Sequence, residues 1–337
     1  MRYVSITSLA LAALLTAATI PSLHAEIEPG GAVKADACAS DPKLLGVTRT
    51  VEIDTAGGAT IGGDQKGAKH FLNDGEIVLT FDDGPSRADT KAILKALADQ
   101  CTKATFFMVG QMALADPQMV REVAAGGNTI GTHTWSHKNL RYVRPDVLRQ
   151  QLESAISTVS KANGTPIAPL FRFPYLSSSR AADAYLKSRN IGAVWVDIDS
   201  KDYLTRSPDV VKNRILSELA KQKKGIILMH DIHAWTAKML PELLAALHEK
   251  GFKVVHMVPK AHVETIASYD AAADKAIAAK TAARDANPMA SHSLVWSMTP
   301  PPRKHRTWKH VRKTQAKLSK PGKPKDQTEP WQFSFFN

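Results

Sequence analysis

The chain has 337 residues, 44% of them hydrophobic and 23% charged, an ordinary balance for a folded protein. With two cysteines and enough length to bury about three quarters of its unfolded surface, it is no disulfide scaffold, collagen-like fibre or wholly disordered chain. Lys and Arg number 44 against 32 Asp and Glu, a net charge of +12, but +8 of it lies in the last fifty residues and +4 in everything before. The basic balance belongs to a tail and says little about the substrate of the main domain.

Residues 1–25 read as a secretory signal peptide. Arg2 is the basic start, Val4 to Ala18 the apolar stretch, Pro21 its break and Ala25 a small residue at the cut. It is the only stretch approaching membrane length, so a polytopic membrane protein is excluded. Export places the protein in the periplasm or outside the cell. In such a compartment Cys38 and Cys101 can pair, tying the N-terminal segment to the end of the first helix.

Residues 26–74 form an irregular lead-in with one strand-like run, Val47 to Ile53. From residue 75 to 260 the pattern alternates. Apolar, β-branched runs at Ile77–Phe81, Ala104–Val109, Thr129–Thr132, Leu170–Phe173, Gly192–Val196, Gly225–Met229 and Phe252–Val255 predict strands. Between them Thr90–Gln100, Gln118–Ala125, Pro145–Ala162, Ala181–Arg189, Pro208–Lys221 and Ala237–Lys250 predict helices. Unalternated apolar strands are buried on both faces, as in a parallel sheet of βα units. Ser207-Pro208-Asp209 is a helix start with cap, proline and acidic first turn, Arg144-Pro145-Asp146 a start without a capping side chain, and Lys250-Gly251 a stop. Residues 261–287 predict an Ala-rich helical extension. Residues 288–337, after a Pro-rich linker, predict a disordered basic tail.

On this scheme the unusual polar residues fall at one edge. Asp82 and Asp83 follow the first strand, His133 and His137 the third, Arg172 and Tyr175 the fourth, Asp199 and Asp202 the fifth, His230 and Asp231 the sixth. The carboxyl ends of parallel strands are where α/β folds bind ligands and do chemistry. His133 and His137, four apart, can point the same way on a helical turn and clasp a divalent cation, with a carboxylate from Asp82-Asp83 completing the site. Adjacent residues leaving a strand point apart, so one Asp can ligate while the other serves as general base. His230 is a natural general acid for a leaving amine. Arg172 can hold the base carboxylate by a bidentate pair, and Asp202 can orient His230 and keep it protonated.

The ordered set Thr80-Phe81-Asp82-Asp83-Gly84-Pro85, His133-Thr-Trp-Ser-His137, Arg172-Phe-Pro-Tyr175, Asp199-Ser-Lys-Asp202-Tyr203 and Leu228-Met-His230 resembles the five motifs of the polysaccharide deacetylases. These are carbohydrate esterase family four, or the nodulation-protein-B homology domain. The resemblance spans 75–260. It implies an α/β fold, a distorted (β/α) barrel of about seven parallel strands. It implies one divalent metal ion held by Asp83, His133 and His137, zinc above all, with Co2+, Ni2+ or Mn2+ as other occupants of such a ligand set. It assigns Asp82 as base, His230 as acid, Arg172 as the residue orienting the base and Asp202 as the one tuning the acid. The Tyr175 N–H becomes the oxyanion donor, and Leu228, Tyr203 and Pro174 become substrate contacts. Leu176 stands where the family often has Gly, and Tyr203 where it often has Trp; both bear on substrate fit rather than on the reaction.

The implied activity is removal of N-acetyl groups, as acetate, from an N-acetylglucosamine-containing glycan such as chitooligosaccharide or peptidoglycan. Two other readings stay open. One is an O-acetyl esterase on a glycan such as xylan. The other is a non-catalytic envelope carbohydrate-binding module, against which stands a full set of matching positions. The tail, with Trp308 and Trp331 among its bases, suits an anionic envelope polymer or lipid headgroups. No specific nucleic acid is expected, and a monomer is.

Overall fold

The computed structural model describes residues 41–286. The expected signal peptide, Cys38 and the basic tail lie outside the described residues. Cys101 is disulfide-bonded.

Two short strands, β1 (Arg49–Ile53) and β2 (Thr60–Ile61), come from the lead-in. The repeating part then runs β3 (Glu76–Asp82), α1 (Arg87–Asp99), β4 (Thr105–Met108), α2 (Gly110–Ala115), α3 (Pro117–Ala125), β5 (Thr129–Thr132) and α4 (Pro145–Asn163). It continues through β6 (Leu170–Phe171), α5 (Arg180–Ser188), β7 (Gly192–Val194), β8 (Ile198–Asp199), α6 (Pro208–Gln222), β9 (Gly225–His230), α7 (Ala234–Glu249), β10 (Lys253–Pro259) and α8 (Ala267–Ala286). Among the described residues no helix is long and apolar enough to cross a membrane.

All strand pairings are parallel. β3 pairs β9 from Ile77 to Asp82 on one side and β4 from Thr80 to Asp82 on the other. The order β8-β9-β3-β4-β5-β6-β7 is therefore continuous, and it forms the expected distorted α/β barrel. The distortion has a cause. β7 and β8 follow one another in the chain without pairing, and β2 takes the free edge of β7 instead. Asp197 bridges the gap: its carboxylate accepts from Gly63 N at 2.9 Å and from Ile226 N at 2.7 Å. β10 pairs only Glu76 and Ile77 of β3 and carries β1 on its outer edge.

Every residue of β3 is buried, and its period of two sorts them. Ile77, Leu79 and Phe81 pack outward with the helices, joined by Ile93, Leu97, Leu240 and Leu244. Val78 faces inward among Phe107, Val194 and Ile226. Thr80 and Asp82 share that inward side, so the strand carries a carboxylate to the mouth of the barrel.

Ser207 caps α6, accepting from Val210 N, Arg144 gives α4 no side-chain cap, and Gly251 follows α7 at φ 74, as expected. Other boundaries differ. α1 begins at Arg87 rather than Thr90. The fourth strand stops at Phe171 because Pro174 opens a 3-10 turn, Pro174–Leu176. The fifth run splits into β7 and β8. α2, six residues beginning with Gly110, is too short to leave a periodic signal. His262 to Ile266 precede α8 rather than joining it.

Candidate active site

The expected site residues converge at the carboxyl ends of the strands. Asp82 ends β3, His133 follows β5, Arg172 follows β6, Asp199 ends β8 and His230 ends β9. The loops carrying them hold unusual backbone: Asp83 (φ 79), Thr134 (φ 66), His137 (φ 54), Tyr175 (φ 59), Leu176 (φ 49) and Lys201 (φ 51) are non-glycine residues in the left-handed region. Each costs on the order of 1–3 kcal/mol, and their concentration on one edge marks where the fold is bent to a purpose. It also corrects one expectation. His133 and His137 meet through a turn with positive φ, not through a helical turn.

His133 Nε2 lies 3.4 Å and His137 Nε2 3.3 Å from Asp83 Oδ1. That oxygen is buried and has no hydrogen-bond partner. The tautomer of His133 follows from its other nitrogen, Nδ1, which donates to the Arg172 carbonyl at 2.8 Å and leaves Nε2 as a lone pair. Burial, with the charge of His137, pushes the His133 pKa down to about 3, so the ring stays neutral. The His133 lone pair therefore faces the Asp83 oxygen with no proton of that ring between them. Two imidazole nitrogens and one carboxylate oxygen within 4.8 Å of one another fit a divalent cation with positions left open. The Tyr175 ring stands edge-on to His137, with centroids 4.7 Å apart.

Arg172 is completely buried. Its Nη1 donates to Asp82 Oδ1 at 2.8 Å and to Thr80 Oγ1 at 2.7 Å, and its Nε donates to the Val194 carbonyl at 3.2 Å. The guanidinium lies 4.3 Å from the centroid of the Phe107 ring. The expected bidentate pair is thus a single-nitrogen contact shared with Thr80. Burial raises the Asp82 pKa, Arg172 and His230 oppose it, and the balance stands at about 6.

On the other wall, His230 Nδ1 lies 2.6 Å from Asp202 Oδ1. Asp202 Oδ2 accepts from His230 N at 2.8 Å and from Thr236 Oγ1 at 2.7 Å. Burial works against the Asp202 charge, yet His230 and these bonds hold its pKa at about 2. Burial likewise works to lower His230, but the charge and hydrogen bond of Asp202, with Asp83 and Asp82 beyond, lift it to about 10. The Tyr203 ring meets His230 edge-on at 5.7 Å. Leu228 pairs opposite Thr80, and Pro174 is buried while Tyr175 and Tyr203 are exposed.

The sequence reading places Asp231 at this edge without giving it a role, and it does not name His233. Asp231 accepts from Gly84 N at 2.9 Å and from Thr90 Oγ1 at 2.6 Å, fastening the turn after Asp83 to the strand end that bears His230. A Cβ at Gly84 would run into both oxygens of the Asp231 carboxylate. His233, just before α7, stacks on Trp235 at 4.5 Å and stands 5.7 Å from His230. The only sequence signal for either is its place at the same strand end.

Comparison with known proteins identifies the family. The family described as polysaccharide deacetylase matches residues 70–194. The chitooligosaccharide deacetylase of Sinorhizobium fredii is 31% identical over 202 residues, covering 55% of this chain and 91% of that protein. The peptidoglycan-N-acetylglucosamine deacetylase PgdA of Listeria monocytogenes is 29% identical over 180 residues, covering 53% of this chain but only 37% of its own length. Among solved structures, the Bdellovibrio bacteriovorus peptidoglycan deacetylase Bd3279 superposes with a TM-score of 0.58 at 31% identity, covering 65% of this chain and 61% of that one. The chain belongs to the polysaccharide deacetylase family.

Proposed function

We propose that the protein is a divalent-metal-dependent hydrolase that removes N-acetyl groups from an N-acetylglucosamine-containing glycan, chitooligosaccharide or peptidoglycan, after export from the cytoplasm. The observation that carries this reading is the buried, unpartnered Asp83 Oδ1 facing His133 Nε2 at 3.4 Å and His137 Nε2 at 3.3 Å. Asp83, His133 and His137 would hold the cation, zinc first among candidates. When bound, it supplies Lewis-acid polarisation of the acetyl carbonyl and acidifies a water.

The chain's own residues do the rest. Asp82, aimed into the barrel mouth and fixed by Arg172, takes the proton of the attacking water. The Tyr175 N–H donates no hydrogen bond among the described residues and is free to stabilise the developing oxyanion. His230, kept protonated by Asp202, gives its proton to the departing nitrogen, so acetate and a free amine leave. Leu228, Tyr203 and Pro174 contact the substrate around the acetyl group.

The test couples metal analysis to acetate release from N-acetylglucosamine oligomers, peptidoglycan and acetylxylan. The expected result is stoichiometric divalent metal, with release from an N-acetylated glycan that stops on chelation and returns with added zinc. Full release after exhaustive chelation would overturn the metal assignment. Release from acetylxylan alone would turn the reading to an O-acetyl esterase.

A further inference from the structure

The edge that holds the site carries exposed charge of one sign. In the loops 83–86, 133–144, 172–179, 200–207 and 231–233, every exposed charged residue is basic: Lys138, Arg141, Arg144, Lys201 and Arg206. The acids of these loops, Asp83, Asp202 and Asp231, are wholly or partly buried and engaged within the site. A generally basic protein does not explain this, because the chain before its last fifty residues carries only +4.

Arg144 is answered by Asp146 at 3.1 Å. Lys138, Arg141, Lys201 and Arg206 have no carboxylate within 4.0 Å among the described residues. Glu218, which senses Lys201, is already paired with Lys221 at 2.8 Å. Asp89, Asp146 and Asp209 sit in the first turns of α1, α4 and α6, where they answer the helix dipoles.

Two of the four unanswered cations lie over aromatic rings on opposite flanks of the site. Arg141 is 5.5 Å from the Tyr142 centroid, on the loop that follows His137. Arg206 is 5.7 Å from the Trp235 centroid, on the His230 side. Tyr142 is 87% exposed, and the Arg141 guanidinium is its ring contact among the described residues. The exposed Tyr142 ring and the unpaired cations of this edge make a surface for a ligand with flat apolar faces and negative charge. A neutral oligosaccharide would use the rings and leave the cations idle.

We propose that this edge takes a glycan strand bearing carboxylate groups, with Lys138, Arg141, Lys201 and Arg206 meeting the carboxylates and Tyr142 lying against a sugar ring. The inference rests on the deacetylase reading and narrows its substrate. A polyanionic strand would be gathered along the flanks before its acetamido group reaches the metal centre.

The experiment uses the full chain and one preparation of soluble glycan strands from bacterial cell wall, half of it with its carboxylates converted to methylamides. Binding is read by tryptophan fluorescence and turnover by acetate release. The carboxylate strands should bind about tenfold more tightly at ~20 mM salt, the sum of several weak exposed ion pairs, and the advantage should vanish near ~500 mM. The ratio between the two strands should fall to near one in Arg141→Glu/Arg206→Glu and stay at the wild-type value in Lys91→Glu, which changes charge on α1. Equal binding of the two strands at low salt would overturn the inference, as would a preference that survives the double substitution. Binding keeps the two readings separable: acetate from a neutral N-acetylglucosamine pentamer with no carboxylate preference sinks this inference alone. Absence of acetate from every glycan, with the binding preference intact, sinks the deacetylase reading alone.

Discussion

Asp82 and Asp83 are neighbours with opposite environments. Asp83 faces two imidazoles, whereas Asp82 faces an arginine. The Asp82→Asn variant should therefore keep its bound metal while acetate release falls about 10²–10⁴-fold, the usual contribution of a general base. Metal content and turnover measured on one sample check this, and retention of a tenth of the activity would remove Asp82 from the role. Asp202 predicts a pH effect. His230 stays protonated up to about pH 10 because Asp202 outweighs burial. In Asp202→Asn burial prevails, the His230 pKa falls, and the alkaline limb of the kcat profile should move to lower pH, with activity at pH 9 reduced more than at pH 6. An unmoved limb would show that the two residues are not coupled. These pairings were legible in the sequence because each residue sits at a strand end and its chemistry is distinctive. The place of Asp231 at this edge was legible but its role was not, since that lies in a contact with Gly84 across 147 positions, and nothing local announces that.

At the scale of elements, the helices are tied together through buried charge as well as apolar packing. Glu153, fully buried on α4, accepts from Tyr185 Oη at 2.7 Å and from Arg189 Nε at 2.9 Å, both on or just past α5. Arg189 also donates to the Glu264 carbonyl at 2.7 Å, in the segment leading to α8. Glu153→Ala should destabilise the fold by about 3 kcal/mol, because it strands Arg189 and the tyrosine hydroxyl, and urea unfolding at pH 7 measures it. A loss below 0.5 kcal/mol would mean that water replaces the carboxylate. Strand and helix order could be read from the sequence because buried parallel strands are continuous apolar runs. The split of β7 from β8 could not, because it depends on β2 arriving from the lead-in to claim the edge. Such a non-local competition leaves no periodic trace in either segment.

At the scale of all the described residues, the lead-in is tied to the barrel at the start of β3. Glu76 accepts from Arg49 Nε at 2.8 Å and Nη2 at 2.6 Å and from Asn73 N at 2.7 Å, joining β1 and the lead-in to the barrel. The Arg49 hydrogen bond, resisted by burial, holds the Glu76 pKa at about 2. A lowered carboxylate pKa stabilises the folded state above the unfolded value near ~4.3, and that stability is lost as pH falls towards 2. Glu76→Gln should be less stable than the parent by about 1–2 kcal/mol at pH 7, a figure discounted for the partial exposure of Arg49. The gap should narrow between pH 7 and pH 2.5 and close only below about pH 2, the folded-state pKa, in denaturant titrations across that range. A constant difference would assign the cost to packing rather than charge.

The clasp between Asp231 and the turn at Gly84 also bears on how a site with the proposed chemistry could diversify. Because the residue after His230 accepts from the turn that follows Asp82 and Asp83, the proposed proton donor and acceptor are tied to one another, and a shift of one would carry the other. Variation is then channelled to the outer loops, which can exchange one polymer for another while the bond-breaking apparatus stays untouched.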